Sequence, residues 1–167
     1  MKMEIINTPN LNEVRKKILD LKKKNKEIIV QAQDEEFNRK VLEIGINILL
    51  SPEIHNRRDK LKQRDSGLNE ILCKIAAKNN TRIGIEIDKI TKLDKKEKAK
   101  TLARIKQNIK LCRKAGCKII VIDKNKYDKQ GIMSFFISLG ASTEQAKSEA
   151  VYISSDNLIN NKKLKLA

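Results

Sequence analysis

Three carboxylates, Glu86, Asp88 and Asp123, directly follow the apolar stretches "RIGI" and "KIIVI". Both stretches read as strands. In parallel α/β folds the chemistry gathers at the carboxyl ends of strands. Three acids placed there suggest an oxygen cluster for magnesium, and with it metal-dependent phosphoester hydrolysis. Gln31, Gln33, Ser51 and Glu53 occupy the corresponding ends after "EIIV" and "INILL". The competing reading is structural, because such carboxylates also cap helices and pair with lysines. A soft-metal set of Cys73, Cys112, Cys117 and His55 exists on paper, but Cys73 and Cys112 continue apolar helical stripes. They read as small buried hydrophobes. A single histidine leaves too little for a histidine-rich hydrolytic centre or a Ser-His-Asp set. The six glycines are scattered and form no phosphate loop. No catalytic residue, no metal ligand and no protein-bound cofactor is therefore assigned. A stand-alone metal-dependent phosphoesterase stays open as an alternative.

Charge points elsewhere. Of 167 residues, 37 are Lys or Arg and 21 are Asp or Glu, a net charge of +16. That excess predicts attraction to a polyanion, and nucleic acid is the commonest one. Aromatic residues make up only 3% and Trp is absent, so phosphate and shape recognition is expected rather than base stacking. No segment approaches the length of a spanning helix, and "MKMEIINTPN" lacks the apolar core of a signal peptide. With an odd cysteine count, the expectation is a cytoplasmic protein with no disulfide framework and no membrane contact. A general basic RNA-binding factor is the second alternative.

Two places concentrate the cations. In "LARIKQNIKLCRKAG", Lys106, Lys110, Arg113 and Lys114 recur at three- and four-residue steps, so they line one helix face. The opposite stripe is Leu102, Ile105, Ile109 and Cys112. In "RDSGLNEILCKIAAKNN", Asp65 and Ser66 read as helix caps, Gly67 as the bend, and Leu68, Ile71, Leu72, Ile75 and Ala76 as the buried stripe. Arg57, Arg58, Lys60, Lys62 and Arg64 crowd its approach, and a helix start among cations is a natural phosphate site.

Five short Ile- and Val-rich strands carry these residues: "MEII", "EIIVQ", "INILLS", "RIGIEI" and "KIIVI". They alternate with helical patterns, the signature of βαβ units around a parallel sheet. Asp34 reads as a cap, Gly45 as a helix stop and Gly116 as a C-cap. No linker divides the chain. The expectation is a single α/β domain over residues 1–167, with 154–167 a polar C-terminal helix or tail.

"FNRKVLEIGINILLSPE", "RDSGLNEILCKIAAKNNTRIGIEI", "LARIKQNIKLCRKAGCKIIVI" and "SLGASTEQAKSEAV" occur in this order. The set resembles the archaeal and eukaryotic ribonuclease P protein component 3 family, from about Glu27 onward. The resemblance implies a TIM-barrel-like parallel βα repeat. With much of the family's N-terminal region lacking, a partial or open barrel is expected. It implies a subunit of ribonuclease P, which removes the 5′ leader from precursor tRNA. The RNA subunit does that chemistry with magnesium, and this subunit is non-catalytic. The implied partners are ribonuclease P RNA, the ferredoxin-like component 2, other ribonuclease P proteins and, indirectly, precursor tRNA. Asn38 and Arg39 match the family's "NR" step. Arg64, Asp65, Ser66, Gly67 and Asn69 match the central motif; Arg104, Asn108, Arg113 and Lys114 match the long-helix motif. The basic members are expected to touch RNA. Asp65, Ser66, Gly67 and Asn69 are expected to shape the helix start or meet phosphate or a partner. The segment "DKNKYDKQG" departs from the family pattern, and Lys124, Lys126 and Lys129 are the residues there that would carry a contact.

Overall fold

The computed structural model describes residues 3–59, 61, 64–123, 127–149, 152–154 and 158–160. Lys60, Lys62, Lys124 and Lys126, and the side chain of Asp123, lie outside the described residues. The elements run β1 (Met3–Ile6), α1 (Leu11–Lys23), β2 (Ile28–Gln31), α2 (Glu35–Ile44), β3 (Ile48–Leu50), α3 (Glu70–Lys78) and β4 (Arg82–Ile85). They continue with α4 (Ile87–Thr91), α5 (Lys95–Ala115), β5 (Ile119–Asp123), α6 (Lys129–Ser138), α7 (Thr143–Glu149), β6 (Tyr152–Ser154) and β7 (Leu158–Asn160).

Local chemistry sets most boundaries. Asp34 caps α2 by accepting from the Phe37 amide at 2.8 Å, and Gly45 ends it at φ +82°. Asp94 caps α5 through the amides of Lys96 and Glu97, and Gly116 closes it in the left-handed region at φ +74°. Three expectations are corrected. The helix after the central motif starts at Glu70, not at Asp65 or Ser66, with Asn69 as its cap. "RIGIEI" is a strand only to Ile85, and the chain then turns into the short α4. Leu158–Asn160 form a strand rather than part of a polar helix or tail.

β1 to β5 form a parallel sheet in chain order, extended by β6 beside β5 and by β7 beside β1. Both faces are apolar. One packs under the helices through residues such as Ile6, Val30, Leu49, Ile83, Ile85 and Val121. The other gathers Ile5, Ile29, Ile48, Leu50, Ile120 and Ile122 into a second cluster made only of strand residues. A sheet face can bury itself against itself only when the sheet curls. Gly84 sits at the tightest point of that interior. A Cβ there would meet Ile48 Cγ2 at 2.9 Å, Leu50 Cδ1 at 3.0 Å and Ile122 Cδ1 at 3.1 Å. The ends of the sheet give the same answer. β6 and β7 pair at opposite edges, yet the chain between Ser154 and Leu158 can reach at most about 14 Å. No ladder joins β6 to β7 among the described residues, so the barrel-like sheet is curled and unclosed there. This is the partial, open TIM-barrel-like architecture expected.

Candidate nucleic-acid interface

The site is built where the long loop from β3 to α3 lies along α5. Ile105, Ile109 and Cys112 bury one side of α5, and Leu102 is half-buried beside them. Lys106, Lys110, Arg113 and Lys114 are exposed, as their spacing predicts. Between these faces stand Arg104, Gln107 and Asn108, and all three donate to the backbone of the loop. Arg104 Nη1 donates to the carbonyls of Glu53 at 3.2 Å and His55 at 3.0 Å, and its Nη2 to that of Arg57 at 3.1 Å. Gln107 Nε2 donates to the Arg64 carbonyl at 3.2 Å and Asn108 Nδ2 to that of Ser66 at 3.1 Å.

The loop also ties itself. Arg57 Nε donates to Asp65 Oδ2 at 2.8 Å, and Arg57 Nη1 to the Gln33 carbonyl at 3.0 Å. The hydrogen bond from Arg57 is the main reason the Asp65 carboxyl is held down at about 2; the Gly67 amide adds to it. His55 Nδ1 accepts from the Arg57 amide at 3.2 Å, so Nε2 carries the proton and donates to the Asp65 carbonyl at 3.0 Å. Burial, then the charges of Arg57 and Arg104, lowers the His55 pKa and keeps the ring neutral. Gly67 stands at φ +79°, and a Cβ there would lie 1.9 Å from the Pro52 carbonyl oxygen. No side chain fits between those two backbones.

This packing leaves a shallow groove of about 330 Å³ lined by Arg64, Ala103, Lys106, Gln107 and Lys110. Three cations on two elements face one concavity, and Ala103 keeps its floor open. A phosphate entering it would meet donors from both sides.

The other candidates are placed as follows. Arg58 is exposed on the loop. Arg57 is half-buried and engaged as described. Arg39 is exposed on α2, where it pairs with Glu43 at 3.0 Å and lines no part of the groove. Lys114 pairs with Glu70 at 3.0 Å. Lys129 is exposed at the start of α6. Arg104 is corrected: it is 1% exposed, its two terminal nitrogens donate to three backbone carbonyls, and Nη2 also lies 3.5 Å from Asp59 Oδ1, so it does not offer itself to RNA. At the α3 start Asn69 Oδ1 accepts from the Leu72 amide at 2.9 Å, while Asn69 Nδ2 donates to Glu35 Oε1 at 2.6 Å. One amide of the first turn is thus already capped by the protein itself, and both Glu35 and the cations Arg57 and Arg64 line the hollow beside it. The Ser66 hydroxyl is buried and donates to the Leu68 carbonyl at 3.3 Å.

Of the strand-end acids, Asp123 has its side chain outside the described residues, and Glu86 is engaged within the protein. Glu86 accepts from Ser51 Oγ at 2.8 Å and pairs with Lys89 at 2.5 Å. Among the described residues no group of three or more His, Cys, Asp or Glu is arranged to hold a metal ion. The sequence places Glu53 at a strand end but carries no sign of its burial. It is fully buried with neither carboxylate oxygen hydrogen-bonded, and burial above all pushes its pKa up to about 8. Cys73, Cys112 and Cys117 are all buried, and the thiols of Cys117 and Cys73 together with burial push Cys112 well above the ordinary thiol range.

Fold and groove together define a curled parallel β/α protein with a cation-lined loop–helix surface. No family model matches the chain. In sequence it is similar to the protein named ribonuclease P protein component 3 of Methanococcus maripaludis strain C6, at 29% identity over 117 residues. That match covers 70% of this chain and 47% of the relative. It is similar to the protein of the same name from Methanocaldococcus jannaschii at 27% over 143 residues, covering 79% of this chain and 58% of the relative. The chain thus spans about half the length of the curated relatives it matches. In structure it is similar to a chain in a cryo-EM structure of archaeal ribonuclease P with mature tRNA, with a TM-score of 0.71 at 21% identity. That likeness covers 88% of this chain and 63% of the other. A prolidase complexed with N-methylphosphonate-L-proline shares the fold more distantly, with a TM-score of 0.56 at 10% identity over 83% of this chain and 35% of the other. The resemblance to the component 3 family, drawn from the ordered motifs, is borne out. No helix of the described residues is long and apolar enough to cross a membrane.

Proposed function

We propose that this chain is a non-catalytic protein subunit of ribonuclease P that binds and supports the catalytic RNA during removal of the 5′ leader from precursor tRNA. The observation that carries the reading is the groove in which Arg64 of the loop meets Lys106 and Lys110 of α5. Arg58, Arg113 and Lys114 extend its positive surface. The net charge of +16 and the similarity to component 3 proteins support it. In this reading magnesium serves the RNA, and the protein supplies cations that draw phosphates together. Component 2 and the other ribonuclease P proteins are its protein partners, and precursor tRNA is reached through the assembly.

The test is precursor-tRNA cleavage by ribonuclease P RNA and the other protein subunits, with and without this chain, across a magnesium series. The expected result is a lower magnesium requirement and a higher rate when it is present, with no cleavage by the protein alone. No gain, together with phosphoester hydrolysis by the RNA-free protein, would overturn the proposal in favour of the strand-end acids.

A further inference from the structure

The β3–α3 loop carries Arg58 and Arg64, yet its described residues form no helix or strand. Loops of this length are ordinarily mobile. A cation on a mobile loop binds phosphate at an entropic cost, because the loop must be ordered as it binds. Here five of the loop's carbonyls, from Glu53 to Ser66, are already occupied by donors from Arg104, Gln107 and Asn108. Those three residues sit at i, i+3 and i+4 on α5, one face of one helix. The same helix presents Lys106 and Lys110 to the groove.

We infer that α5 pre-assembles the anion-binding groove: Arg104 and Gln107 are positioning residues that fix the loop so that Arg64 stands opposite Lys106 and Lys110 before any ligand arrives. Three features support this. Arg104 is buried and its guanidinium spans three successive alternate carbonyls, a span that a single ammonium group does not cover. Gln107 fastens the backbone of the very residue whose side chain lines the groove. Asp65, which ties Arg57 back into the loop, adds a second tether independent of α5. The inference rests on the RNA-binding reading above and adds to it that two residues that contribute no charge to the groove govern how many cations engage.

The readout is the slope of log affinity against log salt, which counts phosphate contacts at somewhat less than one per cation. The probe is ribonuclease P RNA transcribed in vitro, bound well below the melting temperature of each variant. Arg64→Ala should lower the slope by about one. Gln107→Ala removes no charge, yet it should lower the slope by up to one, and the double variant should match Arg64→Ala alone. Arg104→Lys keeps the charge and should lower the slope by about two, through Arg58 and Arg64 together. Gln107 is a surface residue outside the core, so its variant keeps the test open if Arg104→Lys does not fold. A Gln107→Ala variant that weakens binding at constant slope, or adds fully to Arg64→Ala, overturns the pre-assembly and leaves RNA binding standing. A wild-type chain that binds the RNA without salt dependence overturns the RNA reading itself.

Discussion

Burial holds the Glu53 carboxyl at a pKa of about 8, against an ordinary value of 4.5, and gives it no hydrogen-bond partner. The raised value means the native state keeps a proton that the unfolded chain releases. The native advantage is complete below pH 4.5 and falls as pH rises towards 8, by up to about 1.4 kcal/mol per pH unit. Replacing Glu53 with Gln should remove that slope. Urea midpoints of wild type and E53Q should lie close together at pH 5 and separate at pH 8, with E53Q the more stable; parallel curves would show that Glu53 does not titrate in this range. Arg104 is out of reach of sequence reasoning for a related cause. Its place in the helical pattern beside Lys106 suggests a surface cation. Its burial depends on carbonyls 47 to 51 residues earlier in the chain, which no local pattern records. Ile71 departs in the opposite direction: the apolar stripe predicts it inside, and it is 59% exposed.

Elements are far more legible than side-chain partners. The caps Asp34, Gly45 and Gly116 act on amides or dihedrals within a few residues, so sequence carries their information directly. The start of α3 is ambiguous in sequence because Asp65, Ser66 and Asn69 are all competent caps. What decides among them is Gly67 pressed against Pro52, a contact across the loop. Within the sheet, β4 depends on Gly84. Adding a methyl there crowds the ends of Ile48, Leu50 and Ile122. Overpacking of this kind costs about 1–3 kcal/mol, and the lower entropy of the unfolded Ala chain returns only about 0.4–1 kcal/mol. Gly84→Ala should therefore lower the urea midpoint while leaving the salt slope of RNA binding unchanged; an unaltered midpoint would mean the interior has slack.

At the scale of the whole molecule, the excess of cations makes any RNA binding strongly dependent on ionic strength. Arg113 and Lys114 stand on the exposed face of α5, outside the groove lining. Replacing both with Ala should weaken RNA binding and flatten its salt dependence by about one ion for each phosphate no longer neutralised. A binding isotherm series from low to moderate salt checks this, and an unchanged slope would confine the interface to the groove. The pairing of Lys114 with Glu70 makes Arg113 the larger contributor. The broad architecture follows from strand and helix periodicity. The curl of the sheet does not, because it is set by a cluster of strand residues drawn from β1, β2, β3 and β5.

The last strands carry a consequence for solubility. β7 lies against β1 and β6 against β5, so two strands close in sequence cover opposite borders of the five-strand sheet. A bare border is a template on which another chain can add a strand of its own. Two three-residue strands, Tyr152–Ser154 and Leu158–Asn160, thus stand between this sheet and its own copies, and whatever loosens them unmasks two sticky borders at once.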